Sequence, residues 1–163
     1  MSIEPVQLFR DKEQGHEYYM KMALKEAAKA YKKDEVPVGA ILIHQDTIIG
    51  RGYNQCESLR DATAHAEMIA ITAGANTIEN WRLNECMLYV TKEPCAMCAG
   101  AIVNARIKMI VFGCYDEEEG CCGSLYQLCG DPRFKIQVAV KGGILEKESL
   151  ALIQEFFQKK RNQ

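Results

Sequence analysis

Apolar and polar positions alternate along this chain with two different periods, one typical of helices and one typical of strands. Over residues 14–33, apolar side chains recur at helical spacing between charged ones, which predicts an amphipathic helix. Two runs rich in β-branched residues, 38–43 and 47–52, flank a polar turn at 44–46. Strands separated by so short a turn predict an antiparallel hairpin.

The rest of the chain alternates helical and strand-like segments. The pattern predicts a helix over 64–74 with Thr63 as its N-cap, a strand over 87–91 and a helix over 95–104. It then predicts a strand over 108–112, a weak helix over 124–129, a strand over 136–140 and a last helix over 146–160. This order predicts an α/β fold, a three-layer α/β/α sandwich with a mixed sheet of about five strands.

Length and composition predict one domain spanning residues 1–163, of which we expect about the first 12 to be flexible. Apolar residues make up 48% of the chain, which is enough for a core without cross-links. The net charge of −2 neither suggests nor excludes a nucleic acid partner. No apolar run approaches the roughly 18 residues of a membrane span, and a signal-peptide pattern is absent. We therefore expect a soluble, cytoplasmic protein without membrane association.

Two short motifs carry the candidate chemistry. His65-Ala66-Glu67 is followed, 28 residues after His65, by Glu-Pro-Cys-Ala-Met-Cys at 93–98. Together they form the pattern H-x-E, gap, P-C-x-x-C that is typical of zinc-dependent deaminases of nucleobases. Eight cysteines in a chain without a signal peptide also favour metal ligands over disulfides. The pattern predicts a zinc site built from His65, Cys95 and Cys98.

The spacing of these residues suits zinc chemistry. Cys95 and Cys98 lie one turn apart at a predicted helix start, where the helix dipole favours the thiolates that zinc requires. With His65 they give three protein ligands and leave the fourth tetrahedral position for water. Glu67 is predicted to take a proton from that water and to protonate the ring and then the leaving amine. The predicted reaction is hydrolytic loss of ammonia from an amino-bearing ring carbon.

The cysteine spacing also fits two other kinds of site. The C-x-x-C pair is also found in structural zinc sites and in redox motifs. A structural site would need a fourth ligand, for which the candidates are Cys86, Cys121, Cys122 and Cys129. Neither alternative explains Glu67 and Pro94 at their positions, so we expect the remaining cysteines to be small core or surface residues.

The likeness to a known family extends well beyond the zinc motif, from about residue 35 to residue 161. Matching segments include Glu-Val-Pro-Val-Gly-Ala at 35–40, Thr-Ala-His-Ala-Glu at 63–67, Trp-Arg-Leu at 81–83, Cys-Ala-Gly-Ala-Ile at 98–102 and Gly-Ser-Leu at 123–125. In these segments the chain resembles the bacterial tRNA adenosine deaminases of the cytidine deaminase-like superfamily. The resemblance implies hydrolysis of the wobble adenosine of a tRNA anticodon to inosine, with one zinc ion per subunit.

The resemblance also implies partners and binding residues. It implies a homodimer that holds the anticodon stem-loop of tRNA across both subunits. By matching position, Asn54 would contact the flipped nucleoside, Val38 and the Ala66 backbone would frame the base, and Asp116 would lie near the ribose.

The same resemblance places the last helix against the anticodon stem-loop through Phe156, Phe157 and Arg161. Aromatic side chains beside basic ones suit base stacking and phosphate contact. A helix with two core phenylalanines and a solvated basic end has the same pattern. The chain departs from the family pattern at Lys92, where leucine is common, and the acidic run 116–119 would repel phosphate if it faced the RNA.

Two other functions are compatible with the motifs. A deaminase of a free base or nucleoside, such as guanine or cytosine, would fit the acidic loop and the isoelectric point near 6.0. A noncatalytic zinc or RNA-binding module would instead use a fourth cysteine ligand in place of water.

Overall fold

The computed structural model describes residues 12–163, which form helices around one sheet. The elements are, in chain order, α1 (Lys12–Lys32), β1 (Gly39–His44), β2 (Thr47–Tyr53), α2 (Cys56–Leu59), α3 (Ala66–Ile78), β3 (Cys86–Lys92), α4 (Ala96–Asn104), β4 (Met109–Cys114), β5 (Ala139–Lys141) and α5 (Glu146–Arg161).

The sheet is mixed and has the strand order β2-β1-β3-β4-β5. The predicted hairpin is confirmed, because β1 pairs antiparallel with β2, and β1 also pairs antiparallel with β3. β4 runs parallel to β3 and to β5. The parallel β3–β4 pair requires a crossover, which α4 provides.

Helices cover both faces of the sheet. Because side chains alternate along a strand, Leu42 and Leu88 pack on the face that carries α3 and α4, whereas Ile41 and Tyr89 pack on the face that carries α1. α5 lies on the same side as α1, and the rings of Tyr31 and Phe156 meet there with 6.0 Å between their centroids. The predicted three-layer α/β/α sandwich is confirmed.

β2 packs directly against the first turn of α3. A Cβ atom added to Gly52 would lie 2.3 Å from the carbonyl oxygen of Ala66, so only glycine permits this approach. The close contact brings the end of β2 beside the residues that begin α3. Those residues are His65 and Glu67 of the H-x-E motif.

Two local predictions were wrong. Thr63 does not cap α3; its hydroxyl donates to Asp61 Oδ1 at 2.7 Å, and His65 occupies the N-cap position. The segment 124–129 is not a helix, because the Leu128 N–H donates to the carbonyl oxygen of Cys121 and Gln127 forms an isolated antiparallel bridge with Cys122. A helix over these residues would instead need the Leu128 N–H to donate to the Ser124 carbonyl oxygen, four positions back.

The ends of the elements differ slightly from the predicted ones. The last strand is shorter than predicted, and the short helix α2 was not predicted. The flexible segment expected over about the first 12 residues lies outside the described residues, apart from Lys12, which begins α1. Within residues 12–163, no helix has the length and apolarity needed to cross a membrane.

Candidate metal centre and active site

Three metal-ligating side chains meet where two helices begin. His65 is the N-cap residue of α3, Cys95 is the N-cap residue of α4, and Cys98 lies in the first turn of α4. The Nδ1 atom of His65 lies 3.6 Å from the Cys95 sulfur and 3.5 Å from the Cys98 sulfur. Within the described part of the chain, these three residues form the group able to hold a metal ion.

The geometry of this group fits zinc. Zn–S bonds of about 2.3 Å and Zn–N bonds of about 2.0 to 2.1 Å, meeting at the tetrahedral angle, separate nitrogen from sulfur by about 3.6 Å. The two observed separations agree with that value. One imidazole and two thiols are also donors that zinc prefers. The three side chains are therefore arranged for a tetrahedral ion with one position left for a non-protein ligand.

The two thiols differ in pKa because a hydrogen bond joins them. The hydrogen bond from the Cys98 thiol lowers the pKa of Cys95 to about 3, with further lowering by His65. The same contact, reinforced by burial, raises the pKa of Cys98 above the ordinary thiol value. A cation that replaced the thiol proton would favour two thiolates, which is the usual coupling between metal binding and proton release.

Glu67 lies in the first turn of α3, on the side of the metal group. Its side chain is buried, with 4% of the residue exposed, and it lines the same cavity as His65 and Cys95. Burial raises the pKa of Glu67 above the ordinary glutamate value. A carboxylate whose pKa is raised is a stronger base than an ordinary one, which suits a proton acceptor.

The cavity beside Glu67 has a volume of about 240 Å³. The predicted binding residues Val38, Asn54 and Asp116 line it, as does Phe157. Ala66 is fully buried behind it, and its N–H donates to Asn54 Oδ1 at 2.8 Å. The structure thus places Val38, Asn54, Asp116 and Phe157 around one cavity with His65 and Cys95.

The three predicted RNA-contact residues of α5 differ in their exposure to solvent. Phe156 is buried against Tyr31, whereas Phe157 is 42% exposed at the edge of the cavity. Arg161 is exposed at the end of α5 and donates to Gln158 Oε1 at 2.9 Å. A second cavity of about 760 Å³ adjoins the first and shares Asn54 and Phe157 with it.

The candidate fourth ligands lie outside the metal group. The sulfurs of Cys122 and Cys129 contact each other at 3.6 Å in the core, and Cys86 is also buried there. Cys121 is buried as well, with its sulfur directed at the Glu119 carbonyl oxygen. These cysteines are core residues, as predicted.

Sequence reasoning missed the role of Glu93. Its buried carboxylate accepts hydrogen bonds from the N–H groups of Asp116, Cys122 and Ser124, and from the Ser124 hydroxyl. Glu93 thereby ties the segment after β4 to the loop that carries Cys95. Its position next to Pro94 in the motif was the available signal.

Sequence reasoning also missed a charge pair at the cavity. Lys92, the last residue of β3, places its Nζ 2.8 Å from Asp116 Oδ2. The two residues are 24 positions apart, and nothing in their local pattern links them.

Comparison with known proteins gives consistent matches. A family model described as the cytidine and deoxycytidylate deaminase zinc-binding region matches residues 13–114. The chain is 45% identical over 145 residues to a tRNA-specific adenosine deaminase of Bacillus subtilis, a match that covers 89% of this chain and 90% of that protein. It is 42% identical over 148 residues to a protein of the same name from Aquifex aeolicus, with 91% and 97% of the two chains covered.

One solved structure gives the same result. It comes from biochemical and structural studies of A-to-I editing by tRNA:A34 deaminases at the wobble position of transfer RNA. The match has a TM-score of 0.79 at 38% sequence identity and covers 83% of this chain and 98% of that chain.

Proposed function

Because the chain belongs to the family of tRNA-specific adenosine deaminases, whose zinc-binding region it carries, we propose that it hydrolyses the wobble adenosine, A34, of a tRNA anticodon to inosine. The chain is an enzyme with zinc as its cofactor. The observation that carries the proposal is the buried Glu67 carboxyl beside the group formed by His65, Cys95 and Cys98. A free guanine or cytosine deaminase is less well supported, since the relatives above are named for tRNA.

His65, Cys95 and Cys98 hold one zinc ion per subunit in this proposal. When bound, zinc acts as a Lewis acid that lowers the pKa of water at its open position. Two thiolates offset the charge of the ion, so a protein base has to assist in removing the proton from water. Glu67 is the base within reach.

Glu67 moves two protons in the reaction. It takes one from the attacking water and delivers it to the ring nitrogen next to the amino-bearing carbon. It then transfers the second proton of the water to the amino group, which leaves as ammonia. Water and adenosine are consumed, inosine and ammonia are formed, and Glu67 returns to its starting state.

The residues that line the cavity orient the nucleoside. The oxygen of the Asn54 side chain is engaged by Ala66 N–H, so its amino group is the part that contacts the substrate. Val38 and the Ala66 backbone frame the base, and Asp116 faces the ribose at the cavity mouth. Together they hold the amino-bearing carbon against the catalytic carboxyl.

The RNA strand on either side of the target follows the surface beside α5. Phe157 is exposed where the two cavities adjoin, and an aromatic ring in that place suits stacking of a neighbouring base. Phe156 anchors the helix in the core, and Arg161 supplies charge for phosphate. The proposal includes a homodimer that binds the anticodon stem-loop in the cytoplasm; the exposed side chains of Trp81 and Phe134 support an interface.

The test is inosine formation in an anticodon stem-loop RNA with adenosine at the wobble position. The zinc-loaded protein is compared with Glu67→Gln, which keeps the size of the side chain but not its basicity. Inosine, scored by mass, is expected from the wild type, with a loss of at least about a thousandfold in the variant. Ammonia release from guanine or cytosine by a preparation that leaves the RNA unchanged would overturn the assignment of tRNA as the substrate.

A further inference from the structure

Lys92 places a positive charge at the catalytic cavity. It ends β3 directly before Glu93, and its side chain, 29% exposed, lines the cavity that holds His65 and Glu67. Among the described residues that line this cavity, it is the one lysine or arginine. Lys92 therefore provides the lysine or arginine charge of this cavity, next to the residues of the zinc motif.

The cavity otherwise carries a concentration of carboxyl groups. Glu67, Glu93, Asp116 and Glu119 all line it. Glu93 is surrounded by backbone donors, but Asp116 and Glu119 lie towards the surface, where an RNA strand would pass. Carboxylates there repel phosphate, and the repulsion weakens binding unless a cation offsets it.

Asp116 connects Lys92 to the acidic loop of residues 116–119. Its Oδ2 contacts Lys92 Nζ at 2.8 Å, while its Oδ1 accepts the N–H groups of Glu118 and Glu119 at 3.0 and 3.2 Å. Burial raises the pKa of Asp116, but Lys92 and these N–H groups lower it more, so the carboxylate is charged near neutral pH. The carboxylate that Lys92 contacts is thus the one that accepts the N–H groups of the loop.

We propose that Lys92 is a positioning and specificity residue: it neutralises Asp116 and holds the loop of residues 116–119 at the cavity mouth, so that a polyanionic RNA strand can enter. The inference rests on the proposed function, because it takes RNA as the substrate. Lys92 acts through Asp116 and takes no part in the proton transfers.

The test is a double-mutant cycle on RNA affinity. Lys92→Met removes the charge and keeps the unbranched stem, and Asp116→Asn removes the partner's charge. Binding of the stem-loop RNA is measured by fluorescence anisotropy, together with kcat and KM for inosine formation. Lys92→Met is expected to weaken binding and raise KM by about tenfold, with kcat within about twofold of wild type.

Three readouts distinguish this role from a purely structural one. In the Asp116→Asn background, Lys92→Met is expected to change affinity by less than about twofold. Its defect in the wild-type background is expected to shrink when salt rises from about 0.05 to about 0.5 M, because charge repulsion is screened. Lys92→Arg, which keeps the charge, is expected to stay within about threefold of wild type.

Lys108→Met is the matched control. It removes the same charge from an exposed pair with Glu85, at the opposite end of β3, and is expected to leave RNA affinity within about twofold. An equal loss of affinity from Lys92→Met with and without Asp116→Asn would overturn the inference, as would a loss that salt does not reduce. Absence of inosine from the wild type would overturn the proposed function, whereas the binding cycle still decides the role of Lys92.

Discussion

The side-chain oxygen of Asn54 accepts the backbone N–H of Ala66 at 2.8 Å, and this bond ties the end of β2 to the first turn of α3. Ala66 stands between His65 and Glu67. The N–H groups of a first helical turn have no partner within the helix, so Asn54 supplies the cap that Thr63 does not. One side chain thereby positions the metal ligand and the catalytic carboxyl together.

Two substitutions distinguish the role of the Asn54 side-chain oxygen from that of its amino group. Asn54→Ala leaves the buried Ala66 N–H without a partner and is expected to lower the free energy of unfolding by about 1 to 3 kcal/mol. Asn54→Asp keeps an acceptor at the helix start and is expected to stay within about 1 kcal/mol of wild type. Urea denaturation measures both. Equal destabilisation by Ala and Asp would show that the bond contributes little.

The activities of the same two variants test the other end of the amide. Both lose the amino group that we assign to the substrate, so both are expected to lose at least about tenfold in kcat/KM. A near-wild-type kcat/KM for Asn54→Asp would show that the amino group does not contribute to substrate binding.

Glu93 is expected to be a major source of stability for the loop around the site. Glu93→Ala removes the acceptor of the Asp116, Cys122 and Ser124 N–H groups, which is expected to cost about 3 kcal/mol or more. Glu85→Ala is the control, since Glu85 is exposed, and a change within about 0.5 kcal/mol is expected. Hydrogen exchange should quicken at residues 116–124 in the first variant alone. Unchanged protection there would contradict the role given to Glu93.

The hairpin, the strand-helix-strand unit and the metal group were accessible from sequence for a local reason. Strand and helix periods are properties of short windows, and each half of the zinc motif lies within six residues. The crossover from β3 through α4 to β4 then followed from the alternation of the elements. The position of Cys95 and Cys98 at a helix start needed no knowledge of the rest of the chain.

Features that depend on distant partners were not accessible in this way. The cap of α3 comes from Asn54, 12 positions away, rather than from the adjacent Thr63. The segment 124–129 has a weakly helical pattern, but its Leu128 N–H donates to the carbonyl oxygen of Cys121, seven positions back, instead of closing a helical turn. Periodicity likewise assigns Phe156 and Phe157 the same character, and only the packing against Tyr31 distinguishes the buried ring from the exposed one.

Zinc content separates metal binding from proton transfer. Cys98→Ser is expected to lose the metal and the deaminase activity, whereas Glu67→Gln is expected to retain one zinc per chain without activity. Chelation of the wild type should abolish activity, and added zinc should restore it. Elemental analysis and the inosine assay give the two readouts.

Cys129→Ala is the control for the zinc experiment. Cys129 is fully buried and contacts Cys122, so its loss is expected to cost about 1 kcal/mol of stability. Zinc content and activity are expected to remain. Loss of zinc from this variant would favour a fourth cysteine ligand and a structural site.

Two glycines give a matched test of how closely α1 packs on the sheet. A Cβ atom at Gly39 would lie 2.1 Å from the Ala23 carbonyl oxygen and 2.3 Å from the Ala27 nitrogen, both of which are backbone atoms. Gly39→Ala is therefore expected to destabilise the protein by at least about 3 kcal/mol, because α1 has to move away from β1.

Gly100, within α4, has no atom within 4 Å of such a Cβ. Gly100→Ala is expected to stabilise by about 0.5 to 1 kcal/mol, since alanine is the better helix former. Urea denaturation of the two variants is the measurement, and a loss of similar size in both would mean that helix propensity and contact distance do not decide the outcome.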